Sequence, residues 1–148
     1  MKAVVQRVSE ASVRVSGETI GQIGQGFMVL LGVDREDNDE DLDYIVKKVT
    51  GLRVFTDEQD KMNLSLSDIH GSLLIVSQFT LMASTRKGNR PSFTTAGPPE
   101  MSEALYECFI ERCKNMGFHV EHGQFGAHME VSLVNDGPVT IIIDSHDR

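Results

Sequence analysis

Tryptophan is missing from the 148 residues, and with only two cysteines the chain has no disulfide framework to lean on. Nor does any run approach the ~20 apolar residues of a membrane span. The start, Met1 to Arg7, is broken at once by Gln6 and Arg7, unlike the greasy core of a secretory leader. A soluble, cytoplasmic protein without a membrane partner is therefore expected. Positive charge is also scarce. Fourteen Lys and Arg against 22 Asp and Glu give a net charge of −8, which argues against indiscriminate binding to nucleic acid, because phosphate contacts need cations. Local charge can differ from the total: most of the acid lies between Asp34 and Asp43, whereas Arg86, Lys87 and Arg90 form a small basic cluster.

The chain is long enough to bury a core as one domain spanning residues 1–148. Ala3 to Val8 and Ala11 to Val15 read as two strands split by Ser9-Glu10, and Thr19 to Ile23 returns after a Gly-containing turn. Gly21-x-x-Gly24-x-Gly26 invites a phosphate-loop reading, but it leads into the buried strand pattern Phe27 to Val33, where a phosphate loop would open a helix. Leu42, Ile45, Val46 and Val49 stand at helical spacing over about Asp39 to Thr50, with acids first, lysines last and Gly51 as the stop. Leu52 to Phe55 reads as a strand, Thr56 to Ser67 as a polar loop, and Leu73 to Val76 as a buried strand.

Ala83 to Pro99 runs without periodicity, a length of loop that is usually functional or disordered. A second helix follows Pro98-Pro99, with Met101, Leu105, Cys108, Phe109, Cys113 and Met116 on its apolar side and Gly117 at its end. Five residues apart on a helix, Cys108 and Cys113 point roughly 140° from each other, so they read as separate buried thiols. Phe118 to Val120, Met129 to Val134 and Val139 to Ile143 read as further strands. The last two flank Asn135-Asp136-Gly137-Pro138, a sharp turn by residue chemistry, in which the Gly-Pro bond is of the one kind that adopts cis at low cost. The sum is α+β: two main helices and a curled, largely antiparallel, barrel-like sheet.

Candidate chemistry is sparse. Ser77, Thr80, Ser92 and Thr140 could be hydroxyl nucleophiles, yet such a nucleophile ordinarily needs an adjacent base. None of His70, His119, His122, His128 and His146 recurs at the spacing of a triad or a metal site. No metal and no cofactor is expected. An enzyme built this way would work by positioning, backbone donors and a group on the substrate itself.

Two ordered segments, Ser77-Gln78-Phe79-Thr80-Leu81 and Asn135-Asp136-Gly137-Pro138-Val139-Thr140, resemble the signature motifs of D-aminoacyl-tRNA deacylases. The resemblance extends to Gln6-Arg7-Val8, Arg90-Pro91-Ser92-Phe93 and Phe125-Gly126-Ala127-x-Met129, leaving only Asp144 to Arg148 outside it. It implies a deacylase-like fold and a homodimer with its active sites at the subunit interface. The reaction implied is hydrolysis of the ester joining a D-amino acid, or glycine, to the acceptor end of tRNA, a proofreading step in translation. Ser77, Gln78, Phe79 and Thr80 would line the aminoacyl and adenosine site, and Met129 would flank it. Gly137 and Pro138, joined by a cis bond, would enter the neighbouring subunit's pocket and collide with an L side chain. Arg7 would hold that loop. Thr80 as nucleophile, or water activated with the ribose 2′-hydroxyl, both remain open; the missing base fits the second. The competing readings are a non-catalytic module that binds tRNA ends, with Arg86, Lys87 and Arg90 as its footprint, an L-specific editing domain of the synthetase type, and a generic Ser or Thr hydrolase.

Overall fold

The computed structural model describes residues 1–148. One strand organises it. β1 (Lys2–Val15) runs antiparallel to β8 (Glu130–Asp144) along one edge, and its other edge is shared by β3 (Gly26–Gly32) and β2 (Glu18–Ile23). β6 (Ser72–Ser77) then joins β3 in parallel, and β7 (Val120–His122) joins β6 in parallel. The sheet is thus mixed, antiparallel around β1 and parallel beyond it. It curls until β2 meets β7, so closely that a Cβ on Gly21 would lie 2.9 Å from the carbonyl oxygen of His122.

β1 is continuous where two strands were expected. Ser9 and Glu10 are exposed, but they mark a register irregularity against β8, not a break. At that point the strand changes the face it buries. Ala3 and Val5 point into the larger core, whereas Val8, Ala11 and Val13 point into a second, smaller one on the other side of the sheet. β3 and β6 are covered on both faces: Phe27, Val29, Leu31, Leu73 and Ile75 feed the first core, and Met28, Leu74 and Val76 feed the second. That two-sided burial explains their unbroken apolar runs, because only a strand flanked by water alternates.

Both helices cover the larger core. α1 (Asp39–Gly51) contributes Leu42, Ile45, Val46 and Val49; α2 (Pro99–Asn115) contributes Tyr106, Phe109, Ile110 and Cys113. Gly51 is the last helical residue, and the chain leaves the helix at Leu52. The face of α2 is rotated from the expected one: Cys108 and Met116 are exposed, while Cys113 is fully buried and its thiol is pushed up to about 12 by that burial. Short β4 (Phe55–Thr56) and β5 (Met62–Leu64) form a separate hairpin, so the expected strand from Leu52 shrinks to two residues and the polar loop contains β5. Phe55 anchors this hairpin on Phe27, with ring centroids 4.9 Å apart. β7 starts at Val120, two residues later than expected.

The largest departure is at Asn135 to Thr140. The chain does not reverse there; β8 pairs with β1 on both sides, and residues 136–139 stand opposite the single residue Arg7. Gly137 has φ +132° and the Gly137–Pro138 bond is cis. The motif is a bulge thrown out of one strand, not a hairpin turn.

Asn38 caps α1 by accepting the amide of Glu40 at 2.9 Å, while the Asp41 carboxylate accepts the Asn38 amide at 3.0 Å. Beside them the Met1 ammonium donates to Asp37 at 2.6 Å and to the Ser145 hydroxyl at 2.8 Å, and His146 Nε2 lies 2.7 Å from Asp37. The sequence gives no spacing signal for this meeting of residues. Burial raises the Asp41 pKa, but the Asn38 amide, the Ser145 hydroxyl and the nearby positive charges outweigh it and hold the carboxyl below its ordinary value. A carboxyl lowered on folding stabilises above its unfolded pKa of about 3.9, and that contribution is lost as pH falls through the lower folded value. Asp41→Asn should therefore lower the melting temperature at pH 7 by about 2–4 °C, the effect of about 1 kcal/mol of capping in a chain this long. The gap from wild type should close toward pH 3 in thermal scans; a gap that widens as acid is added would contradict this role.

Candidate active site

β6 is held on both faces and in parallel register with β3, so its last residue, Ser77, is fixed opposite Leu31. The Gln78 amide donates to the Leu31 carbonyl at 2.8 Å, and a 3-10 turn, Phe79–Met82, begins at once. Amides that open a helical turn have no carbonyl of that turn to bond. Phe79 and Thr80 therefore present N–H groups, a Thr hydroxyl and the Gln78 side chain in one small region, with Gln78 Nε2 hydrogen-bonded to Thr80 Oγ1. Thr80 is exposed, and Phe79 keeps 57% of its surface open. The Phe79 ring packs edge-on against Phe93 at 5.0 Å, which ties the long loop to the end of β6. Farther along that loop, Ser84 and Ser92 exchange backbone hydrogen bonds of 2.8 and 2.9 Å and project Arg86, Lys87 and Arg90 into solvent.

A cavity of about 480 Å³ opens beside this turn. Leu31, Val33 and Val76 form its apolar floor, Ser77, Gln78 and Phe79 one wall, and Phe125 to Met129 another. A third wall comes from Gly97, Pro99 and Ser102. No Asp, Glu, Lys or Arg lines it, and His128 is its only imidazole. Such a wall cannot supply an acid–base pair. It can hold a flat, mostly apolar group and orient it with a few hydroxyls and amides.

Four expected residues, Ser77, Gln78, Phe79 and Met129, thus share one cavity, with Thr80 on the turn beside it. Arg7, Gly137 and Pro138 form a second constellation that does not line the cavity of their own chain. Arg7 is buried, and its guanidinium donates from Nε to the Asp136 carbonyl at 3.0 Å and from Nη1 to the Val54 carbonyl at 2.7 Å. Asn135 secures the base of the bulge by donating to the carbonyls of Arg7 and Val139, each at 3.0 Å, and Thr140 donates back to Asn135 at 3.2 Å. A Cβ on Gly137 would lie 2.8 Å from Val139 Cγ2 and 3.1 Å from Arg7 Nη2. Gly137 and Pro138 are left exposed at the tip. Sequence reasoning missed Asn135 as the clamp, although its place in the motif was a signal, and missed Ser102 and His128, for which periodicity gave none.

The family described as D-Tyr-tRNA(Tyr) deacylase matches residues 4–144. A protein of Thermosipho africanus named D-aminoacyl-tRNA deacylase is 57% identical over 145 residues, covering 98% of this chain and 97% of the relative. One of the same name from Finegoldia magna is 54% identical, covering 100% of both chains. Among solved structures, one described as the c-Myc DNA Unwinding Element Binding Protein superposes with a TM-score of 0.92 at 46% identity, over 97% of this chain and 98% of that one. Another, described as a probable eukaryotic D-amino acid tRNA deacylase, gives a TM-score of 0.80 at 20% identity over 96% and 97%, and shows the shared fold. With the two motifs in place and the match spanning nearly every residue, this chain belongs to the D-Tyr-tRNA(Tyr) deacylase family.

Proposed function

We propose that the protein hydrolyses the ester of D-aminoacyl-tRNA, and of glycyl-tRNA, and that it rejects L-aminoacyl esters through Gly137 and Pro138 of a second copy. The observation that carries this reading is a cavity without carboxylate or lysine, bordered by the Gln78 side chain, the Phe79 and Thr80 amides and the Thr80 hydroxyl. The name borne by the relatives points the same way. Uncharged walls suit the terminal adenosine and a small aminoacyl group, and the neighbouring amides suit an oxygen that gains negative charge during attack. Water adds to the ester carbonyl carbon, the bond from that carbon to the ribose oxygen breaks, and that oxygen takes up the proton. With no acid–base pair in the wall, the ribose 2′-hydroxyl relays the proton and Thr80 orients the ester.

The second copy is supported by the exposed Gly137–Pro138 tip and by β8 itself. That strand pairs only with β1 and carries Val134 and Ile142 at 49% and 71% exposure, an open apolar edge of the kind proteins normally cover. A tip made of Gly and Pro offers backbone alone. It excludes an L side chain without gripping a D side chain, so glycine also passes.

Purified protein given matched D-tyrosyl-tRNA and L-tyrosyl-tRNA should release only the D ester. Loss of both esters at one rate would leave a hydrolase without a filter; loss of neither, with tRNA still bound, would favour the end-binding module. Thr80→Ala should keep activity within about tenfold, the worth of one hydrogen bond. A tRNA ending in 2′-deoxyadenosine should react about 10²-fold or more slowly, the scale of a lost proton relay. A folded, tRNA-binding but dead Thr80→Ala would instead make Thr80 the nucleophile. Gly137→Ala forces a side chain into a positive-φ position and against Arg7. It should erode the D-over-L ratio more than the D rate; an unchanged ratio would remove Gly137 from the filter.

A further inference from the structure

We infer that Ser102 is a positioning residue of this site, donating a hydrogen bond from its hydroxyl to a ring nitrogen of the terminal adenine. The inference rests on the reading of the cavity as the seat of the tRNA end. Ser102 lies in the first turn of α2, retains 8% of its surface, and lines the cavity. Its amide donates to the Pro98 carbonyl at 2.9 Å, and its hydroxyl bonds to no protein group; it is not sealed in, and the surface it keeps lies on the cavity. Gly97 keeps the approach open: a Cβ there would stand 2.8 Å from Ser102 Oγ and 3.2 Å from Val33 Cγ1.

The direction of the bond follows from the helix. α2 is 17 residues long, its N-cap Pro98 has no side-chain acceptor, and Glu100 is the one acid of its first turn. Positive potential at a helix start favours an acceptor on the ligand, so the hydroxyl gives its proton. Chain continuity selects the ligand atom. The phosphate must lead out to solvent and the ester must meet the rim at Gln78 to Thr80, so the base is the part that reaches inward. Adenine offers ring nitrogens there. The aminoacyl carbonyl is the other possible acceptor, and it is tested separately.

The test measures steady-state constants for wild type and Ser102→Ala with D-tyrosyl-tRNA ending in adenosine or in its 1-deaza, 3-deaza or 7-deaza analogue. Alanine is the better helix former, so the variant should melt no lower than wild type. Ser102→Ala should raise KM about 3- to 10-fold, the worth of one hydrogen bond, with kcat unchanged. One deaza substrate should impose the same loss on wild type and no further loss on Ser102→Ala. An unchanged KM, or losses that add in full for every analogue, would overturn the assignment, and a loss confined to kcat would move the bond to the aminoacyl carbonyl. Binding of a non-hydrolysable 3′-D-tyrosylamino-adenosine is titrated in parallel. A wild type that binds it through Ser102 yet turns over no D ester would sink the hydrolase reading while leaving the subsite, whereas normal turnover with Ser102-independent binding would sink the subsite alone.

Discussion

A buried guanidinium has to find oxygen, and in this fold the search by Arg7 ties three distant stretches together. It is fixed on β1, reaches the Val54 carbonyl before the β4–β5 hairpin, and reaches the Asp136 carbonyl in the bulge of β8. Leaving such a charge unpaired would cost far more than the pairs return, so each partner is held where Arg7 needs it. Only the Asp136 carboxylate, 3.6 Å away and more than half exposed, adds opposite charge. The bulge owes its shape to these bonds and to Asn135, and they leave its Gly-Pro tip standing clear of the sheet.

The cavity is fixed by different means. β3 and β6 are packed on both faces, which leaves the turn after Ser77 little freedom, and the ring contact between Phe79 and Phe93 brings the long loop to the same place. Rigidity matters here because the walls hold no acid–base pair; what such a site can contribute is orientation, excluded water and aimed dipoles. The protein's net charge of −8 also fits a site that touches little phosphate. Arg86, Lys87 and Arg90 are exposed on the loop that Phe93 ties to the end of β6, a small basic projection on an otherwise acidic chain.

Much of this was legible because it depends on local rules. The acids, apolar spacing and lysines of α1 give its limits to within a residue, and the unbroken runs Phe27 to Leu31 and Leu73 to Val76 announce strands covered on both faces. Errors came where tertiary pairing decides. Asn-Asp-Gly-Pro has the chemistry of a reversal, but pairing with β1 on both sides turns it into a bulge. Ser9-Glu10 looks like a break, yet the strand continues and only changes the face it buries. Cys108 fits a helical stripe, but α2 is rotated by the packing of Tyr106, whose hydroxyl bonds the Ile75 carbonyl at 3.1 Å. Ser102 could not be singled out at all, since its significance lies in the absence of a partner inside a cavity formed by segments far apart in the chain.

Action of the Gly137–Pro138 tip on the cavity of another copy is tested directly by subunit mixing. Chains carrying Ala127→Trp, whose own cavity is filled, would be refolded in excess with Gly137→Ala chains, and the D-over-L ratio of the surviving activity measured. Every open cavity in the mixture belongs to a Gly137→Ala chain. Action between copies predicts that the ratio returns to the wild-type value, because most open cavities then receive an intact tip from an Ala127→Trp partner. A ratio that stays at the level of Gly137→Ala alone would mean that each cavity uses the tip of its own chain, and would contradict the account.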